Sequence, residues 1–159
     1  MERKMHKSKR QLPDDEAKAL FEKGHHGILA VNGDDGYPYA VPVNYIYLNE
    51  KIYIHSATVG YKMDAINRDT RVCFSAILSA EILPLEVTAA FESVIATGKI
   101  TLVSDEAERR LAMETFVNRF CVDAIPNGME FLEKTLAHTN VLRIDVEQFT
   151  GKAYRGGAF

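Results

Sequence analysis

Residues 52–62, "IYIHSATVGYK", bring an imidazole, two aliphatic hydroxyls, a glycine and a primary amine within a few positions of one another. Ile52 and Ile54 alternate with Tyr53 and His55, the period of a strand. "YKMDAINRD" then reads as a short helix. A strand-to-helix corner presents the first amides of the helix, which carry partial positive charge and lack partners inside it. A phosphate placed there gains hydrogen bonds and dipole energy. Ser56 and Thr58 add hydroxyl donors, Gly60 lets backbone approach closely, and Lys62 supplies a full charge. The spacing is not that of a Walker loop, which needs G-x-x-x-x-G-K-[ST]. An ordinary strand-to-helix connection uses the same residue types, so the stretch by itself leaves both readings open.

The other reactive side chains form no such group. His25 and His26 sit at a helix-to-strand turn with no third ligand at sensible spacing, so they read as surface histidines and no metal site is expected. Cys73 and Cys121 match no zinc spacing and read as reduced structural thiols. Glu92 has no arguable partner for acid–base work. In "DEAERR" opposite charges recur at helical spacing, which a solvated helix face explains.

The chain has 159 residues and a formal net charge of -3, which disfavours a dedicated nucleic-acid binder. No apolar run approaches the roughly 20 residues that span a bilayer. "MERKMHKSKRQLPDDE" has no apolar signal core, so no membrane association and a cytoplasmic location are expected. Residues 1–12, with Arg3, Lys4, Lys7, Lys9 and Arg10, read as a basic arm, solvated or wrapped on a partner. Residues 13–159 read as a single domain.

The elements that must hold the corner follow from periodicity. "DDEAKALFEKG" is a helix, acidic at its start and stopped by Gly24, with Ala17, Leu20 and Phe21 inward. "GILAVN", "YPYAVPVNYIYL" and "KIYIHS" are successive strands, the second given an edge or irregular portion by Pro38 and Pro42. "RVCFSAI" and "AAFESVIATGKITLVS" follow, the latter bent at Gly98, while residues 79–88 show no clear period. "DEAERRLAMETFVNRF" is the clearest helix, with Leu111, Met113, Phe116, Val117 and Phe120 inward. A second helix lies near 128–138, before a last strand in "NVLRIDVEQFTGKAY". About six strands with tight turns favour a mainly β fold, an antiparallel barrel with helices outside it.

Four strings in this order, "VPVNY", "IYIHSA..G.K", "VCF" and "ESVI..GK", resemble the flavin-binding split-barrel proteins of the pyridoxamine-phosphate-oxidase-like superfamily. The resemblance is nearest to its 5-nitroimidazole-resistance (Nim-type) branch, and runs from about Gly27 to Lys152. It implies a six-stranded split β-barrel, working as a homodimer with FMN where the subunits meet. Carried over by motif, Pro42, Val43, Asn44 and Tyr45 line the flavin ring. His55, Ser56, Ala57, Gly60, Tyr61 and Lys62 hold the ribityl chain and phosphate, and Ser93, Val94 and Ile95 complete the pocket. The implied activity is that of an oxidoreductase taking electrons from NADH or NADPH through FMN to a small acceptor such as a nitro-aromatic. His55 is the candidate proton donor.

Each side chain also has a plainer role: Asn44 bonding its own backbone, Tyr45 packing in a core, His55 held structurally. The chain has no Trp and ends "KAYRGGAF", without the Arg- and Trp-containing C-terminal motif of true pyridoxamine-phosphate oxidases. A flavin carrier or sensor with the same pocket, or a relative taking haem or the deazaflavin F420, is the alternative.

Overall fold

The computed structural model describes residues 4–157. The order is α1 (Asp14–Lys23), β1 (His26–Asn32), β2 (Pro38–Asn44), β3 (Ile46–Leu48), β4 (Lys51–Ser56), α2 (Tyr61–Arg68), β5 (Arg71–Leu83), β6 (Thr88–Leu102), α3 (Glu106–Phe120), α4 (Ile125–Thr135) and β7 (Asn140–Tyr154). The strands join one sheet in the order β2-β1-β5-β6-β7-β4-β3, every pair antiparallel.

There are seven strands where six were expected, because residues 37–48 do not run as one. Tyr45 leaves the ladder and divides them into β2 and β3. The division determines the shape. β2 and β3 are the two edges of the sheet, yet Tyr45 alone separates them in the chain. The sheet must therefore curl until its edges nearly meet, and β2 touches β4 without hydrogen-bonding to it. This is a barrel left open along one slit, a mainly β fold with helices outside. Pro38 and Pro42 fall on β2, an edge strand, where a missing N–H costs no ladder bond.

α1 plugs the barrel. Its first turn carries Asp14, Asp15 and Glu16, which suit the positive end of the helix. Phe21 is fully buried. It stacks on Tyr45 at 4.5 Å and meets Phe74 and Phe149 edge-on at 5.9 and 5.2 Å. Burying such a ring contributes about 1.5–3 kcal/mol. Gly24 ends α1 in an extended rather than left-handed conformation. Glycine is needed there for space, since a Cβ would collide with the Tyr45 hydroxyl.

β4 is covered on both faces. Ile52 and Ile54 face the barrel interior. Tyr53 faces outward into a second core with Ile46, Val103, Ala112, Phe116 and Val141 beneath α3. Met113 and Phe120 pack against this core, but Leu111 faces solvent at 50% exposure, against expectation, and Ala112 takes the inward place. β6 shifts register against β7 at Gly98, where the bend was expected.

Residues 79–88 continue β5 to Leu83, turn through Pro84–Glu86 and begin β6. At the N-terminus Arg10 lies 4.2 Å over the Tyr154 ring and the Leu12 amide donates to the Gly151 carbonyl. Arg3, Ala158 and Phe159 lie outside the described residues. Among the described residues no helix is long and apolar enough to cross a membrane.

Candidate functional site

The corner between β4 and α2 is built as the sequence suggests. β4 ends at Ser56, which is buried, and residues 57–60 form an exposed loop. Gly60 then starts α2 with φ +127° and ψ 165°, a conformation open in practice only to glycine. A Cβ there would meet nothing within 4 Å, so the space in front of the helix is open. No side chain caps α2. The Gly60 carbonyl accepts from the amides of Met63 and Asp64 at 2.8 and 3.1 Å. The amides of Tyr61 and Lys62 have no acceptor within the helix.

Lys62 is half-buried. Burial pulls its ammonium below the ordinary lysine range, and none of the ion pairs among the described residues involves it. His55 keeps an exposed edge while its ring packs edge-on against Phe116 at 5.0 Å. Its pKa lies below the ordinary value of 6.5, first because of burial against that ring and second because of the Lys62 charge. A partly desolvated ammonium and a partly desolvated imidazole thus share one corner with two amides that the helix leaves unpaired. An anion placed there would relieve both, which is the fit a phosphate requires.

Asn44 ends β2 opposite His26 of β1, and β2 approaches β4 across the slit. Asn44 is exposed, as is Pro42 two positions earlier on the same face. Val43 is half-buried and packs on the barrel core.

Three of the anticipated residues stand apart. Tyr45 is fully buried and its hydroxyl donates to the Phe21 carbonyl at 2.7 Å. It offers no face to a ligand, and its role is the core. Val94 is likewise fully buried and can offer only backbone. The Tyr61 hydroxyl donates to Asp34 at 2.6 Å and accepts from the Asp34 amide at 3.0 Å. It ties the β1–β2 turn to α2. Ala57 lies in the exposed loop.

Ser93 and Ile95 face the outside of the sheet, opposite Ile77 and Ser75 of β5. Ser75 pairs with Ile28, and Ile28 with Pro42. One outer row therefore runs Pro42, Ile28, Ser75, Ile95. Only β7 lies between β4 and β6 in the sheet, but His55 stands opposite Val141 and Ile95 opposite Thr150, an offset on the order of 30 Å along the strand. His55 and Ser93–Ile95 thus stand near opposite ends of β7.

Sequence reasoning missed the wall over His55. Phe116 stacks on Phe120 at 5.7 Å, and Phe120 takes the His25 ring edge-on at 5.3 Å. Arg119 donates to the Gly24 carbonyl at 2.8 Å. The i, i+4 aromatic pair was visible as a core face of α3. Nothing in its spacing says that the core it joins borders the corner. Among the described residues no three His, Cys, Asp or Glu side chains group as a metal site.

Known proteins share the family and the fold of this chain. A family model described as pyridoxamine 5'-phosphate oxidase matches residues 13–153. The fold is shared with a candidate 5-nitroimidazole antibiotic resistance protein from Bacteroides thetaiotaomicron (TM-score 0.69, 22% identity, covering 90% of this chain and 86% of that one). It is also shared with an FAD-binding protein from Mesorhizobium loti (0.66, 20%, covering 91% and 95%). An FAD and haem binding protein from Mycobacterium smegmatis is similar too (0.70, 18%, covering 92% and 74%). No curated protein matches the chain.

Proposed function

The chain belongs to the pyridoxamine 5'-phosphate oxidase family, and on that premise we propose that it is a flavin-binding oxidoreductase. In this reading it holds FMN and passes electrons from NADH or NADPH to a small acceptor such as a nitro-aromatic. The observation that carries the reading is the half-buried, unpaired Lys62 beside the uncapped start of α2. Lys62 and the Tyr61 and Lys62 amides would hold the phosphate. The buried Ser56 would close the floor, and Asn44 would offer its amide to the polar edge of the ring. His55, partly desolvated beside Lys62, is suited to hold a proton at an imidazole nitrogen once an anion offsets the lysine charge. Bound flavin supplies the two-electron chemistry, and the protein supplies orientation and electrostatics.

In this reading one chain supplies only the phosphate side of the pocket, since Ser93 and Ile95 stand nine or more residues along β7 from the position opposite His55. The outer sheet face that carries them also exposes Ile28 and Ile77. A homodimer in which that face meets a second copy would complete the pocket and cover the apolar row. The protein would work as a soluble cytoplasmic enzyme.

A second reading, a flavin or haem carrier or sensor, is favoured by His55, which is exposed and whose ring is packed edge-on by Phe116. The purified protein's absorbance spectrum separates these readings. Flavin bands with NAD(P)H oxidation on adding a nitro acceptor support the oxidoreductase. Flavin without turnover supports the carrier, and a Soret band supports haem. A colourless protein that gains no thermal stability from FMN overturns the flavin reading.

A further inference from the structure

Residues 4–12 hold Lys4, Lys7, Lys9 and Arg10, and the flanking acids in sequence are Glu2 and Asp14. Repulsion among these cations opposes a fixed fold for the segment, yet the barrel holds it. Gln11 pairs with Lys152 of β7, Leu12 is buried, and Ser8–Arg10 form a 3-10 turn. Arg10 is half-buried, with its guanidinium over the Tyr154 ring. None of the ion pairs among the described residues involves Lys7, Lys9, Arg10 or Lys152.

The acids nearby are engaged elsewhere. Glu16 and Glu92 pair with Arg155. Glu86 accepts from the Tyr154 hydroxyl at 2.7 Å and from the Gly157 amide at 3.0 Å. Asp14 and Glu147 line a different cavity, together with Lys4. The cavity at Arg10 has a volume of about 270 Å³. Lys9, Arg10, Tyr154 and Arg155 line it, and no carboxylate of the described residues does. Stacking holds a guanidinium flat and leaves its rim of N–H donors open to an oxyanion. Arginine cannot shed its proton when it is desolvated, so an anion is what offsets the cost.

Size and position say which anion. The cations come from one short turn and one strand end, a patch for a single phosphate rather than for the repeating phosphates of a duplex. The net charge of -3 also opposes a long polyanion. Tyr154 pairs with Phe91, two residues along β6 from Ser93. Lys152, opposite Ser93, lies 5.9 Å over the Phe91 ring. The cavity therefore borders the outer face that carries Ser93 and Ile95, the ring side of the pocket in the flavin reading. The ligand which that reading brings to the flavin is a nicotinamide dinucleotide. Its nicotinamide must meet the ring, which leaves its adenosine end for the border. NADPH differs from NADH by one phosphate on that end, and an arginine near the ribose is how dinucleotide sites accept it.

We propose that Arg10, with Lys9, holds the 2′-phosphate of NADPH, so that the basic segment selects NADPH over NADH as the electron donor. This rests on the oxidoreductase reading of the preceding subsection and adds to it the donor and the residues that choose it. The phosphate takes no part in electron transfer and serves only as a handle for binding.

The test begins without flavin. Adenosine 2′,5′-bisphosphate, the adenosine half of NADPH, is titrated into the full chain by calorimetry, with adenosine 5′-monophosphate as the comparison. The bisphosphate is expected to bind about tenfold more tightly, and added salt to weaken it. Arg10→Gln is expected to abolish that tenfold advantage, with far-UV circular dichroism reporting that the variant folds. Arg10→Lys is expected to restore part of it, because the charge returns without the planar fork. With FMN bound, Arg10→Gln should raise KM for NADPH to that for NADH. Equal affinity for the two probes, or bisphosphate binding that Arg10→Gln leaves intact, overturns the proposal. So does a DNA duplex that binds more tightly than the bisphosphate and depends on Arg10. A protein that binds the bisphosphate through Arg10 but never binds FMN refutes the flavin reading and leaves the phosphate site standing. One that binds FMN and ignores the bisphosphate does the reverse.

Discussion

Lys62 and Arg143 are both cations drawn partly out of water, and they are treated in opposite ways. Arg143 is enclosed by partners. It donates to both Glu108 oxygens at 3.1 Å and to Asp145 at 3.0 and 3.2 Å. Glu108 also accepts from the Tyr53 hydroxyl at 2.7 Å. The Asp145 and Glu108 carboxylates strengthen the protonation of Arg143. Burial pushes Glu108 up, but the Tyr53 hydroxyl and Arg143 outweigh it and hold the carboxyl below its usual range. This network ties the start of α3 to β4 and β7. Lys62, also half-buried, is in none of the ion pairs among the described residues. A half-buried cation with a complete shell of acids is finished, whereas one without is waiting for an anion from elsewhere. That contrast separates a structural site from a candidate binding site on the same barrel.

The comparison can be broken in several ways. The largest effect belongs to Tyr45, which sequence motifs place with the ligand and the structure places in the core. Tyr45→Ala is expected to cost about 3–5 kcal/mol in chemical denaturation, as for a buried aromatic. A loss confined to ligand affinity would return Tyr45 to the site. Next, Glu108→Gln leaves Arg143 with Asp145 alone. About 2 kcal/mol of stability should be lost, since hydrogen bonds to charged groups contribute about 1.5–3 kcal/mol. Lys62→Ala should leave the melting temperature unchanged or raised. It should weaken FMN, but not riboflavin, by about 1–3 kcal/mol in titration calorimetry. Equal losses for both ligands would remove the phosphate from Lys62.

The smallest effect is in pH. His55 binds its proton less tightly folded than unfolded, so its contribution to stability is present above its ordinary pKa of 6.5 and lost as pH falls. Glu108 has the depressed carboxylate pKa, so its contribution is lost only as pH falls below the ordinary 4.5. Thermal melts of His55→Gln and wild type should therefore converge as pH drops from 7 to about 5. Saturating phosphate should remove the pH dependence that His55 gives. An unchanged gap between the two proteins across that range would show that His55 does not titrate against Lys62.

Much of this was legible in the chain. The alternation in residues 51–56 and the acidic start of α1 reflect forces within a few residues, so the helices and most strands were readable. The β4–α2 corner was readable for the same reason: glycine and lysine have local meaning at a helix start. What was hidden depends on distant partners. The break at Tyr45 exists because Phe21 and Phe74 capture its ring, and no neighbour in sequence announces that. Residues 79–88 lacked a period because their apolar side chains face neither core. Leu111 and Ala112 exchange expected places because α3 lies on the outside of β4, close enough that a small side chain fits better. The sequence marks Ser93 and Ile95 as strand residues, but only the register sets them nine or more residues along β7 from the position opposite His55.

The single-residue link at Tyr45 has a consequence for re-engineering the chain. A circular permutant opened at that peptide would free both rims of the sheet simultaneously, including the unpaired backbone of β3, which no proline guards. Such a variant should self-associate through strand pairing, whereas one opened at the Asp34–Asp35 turn should remain dispersed.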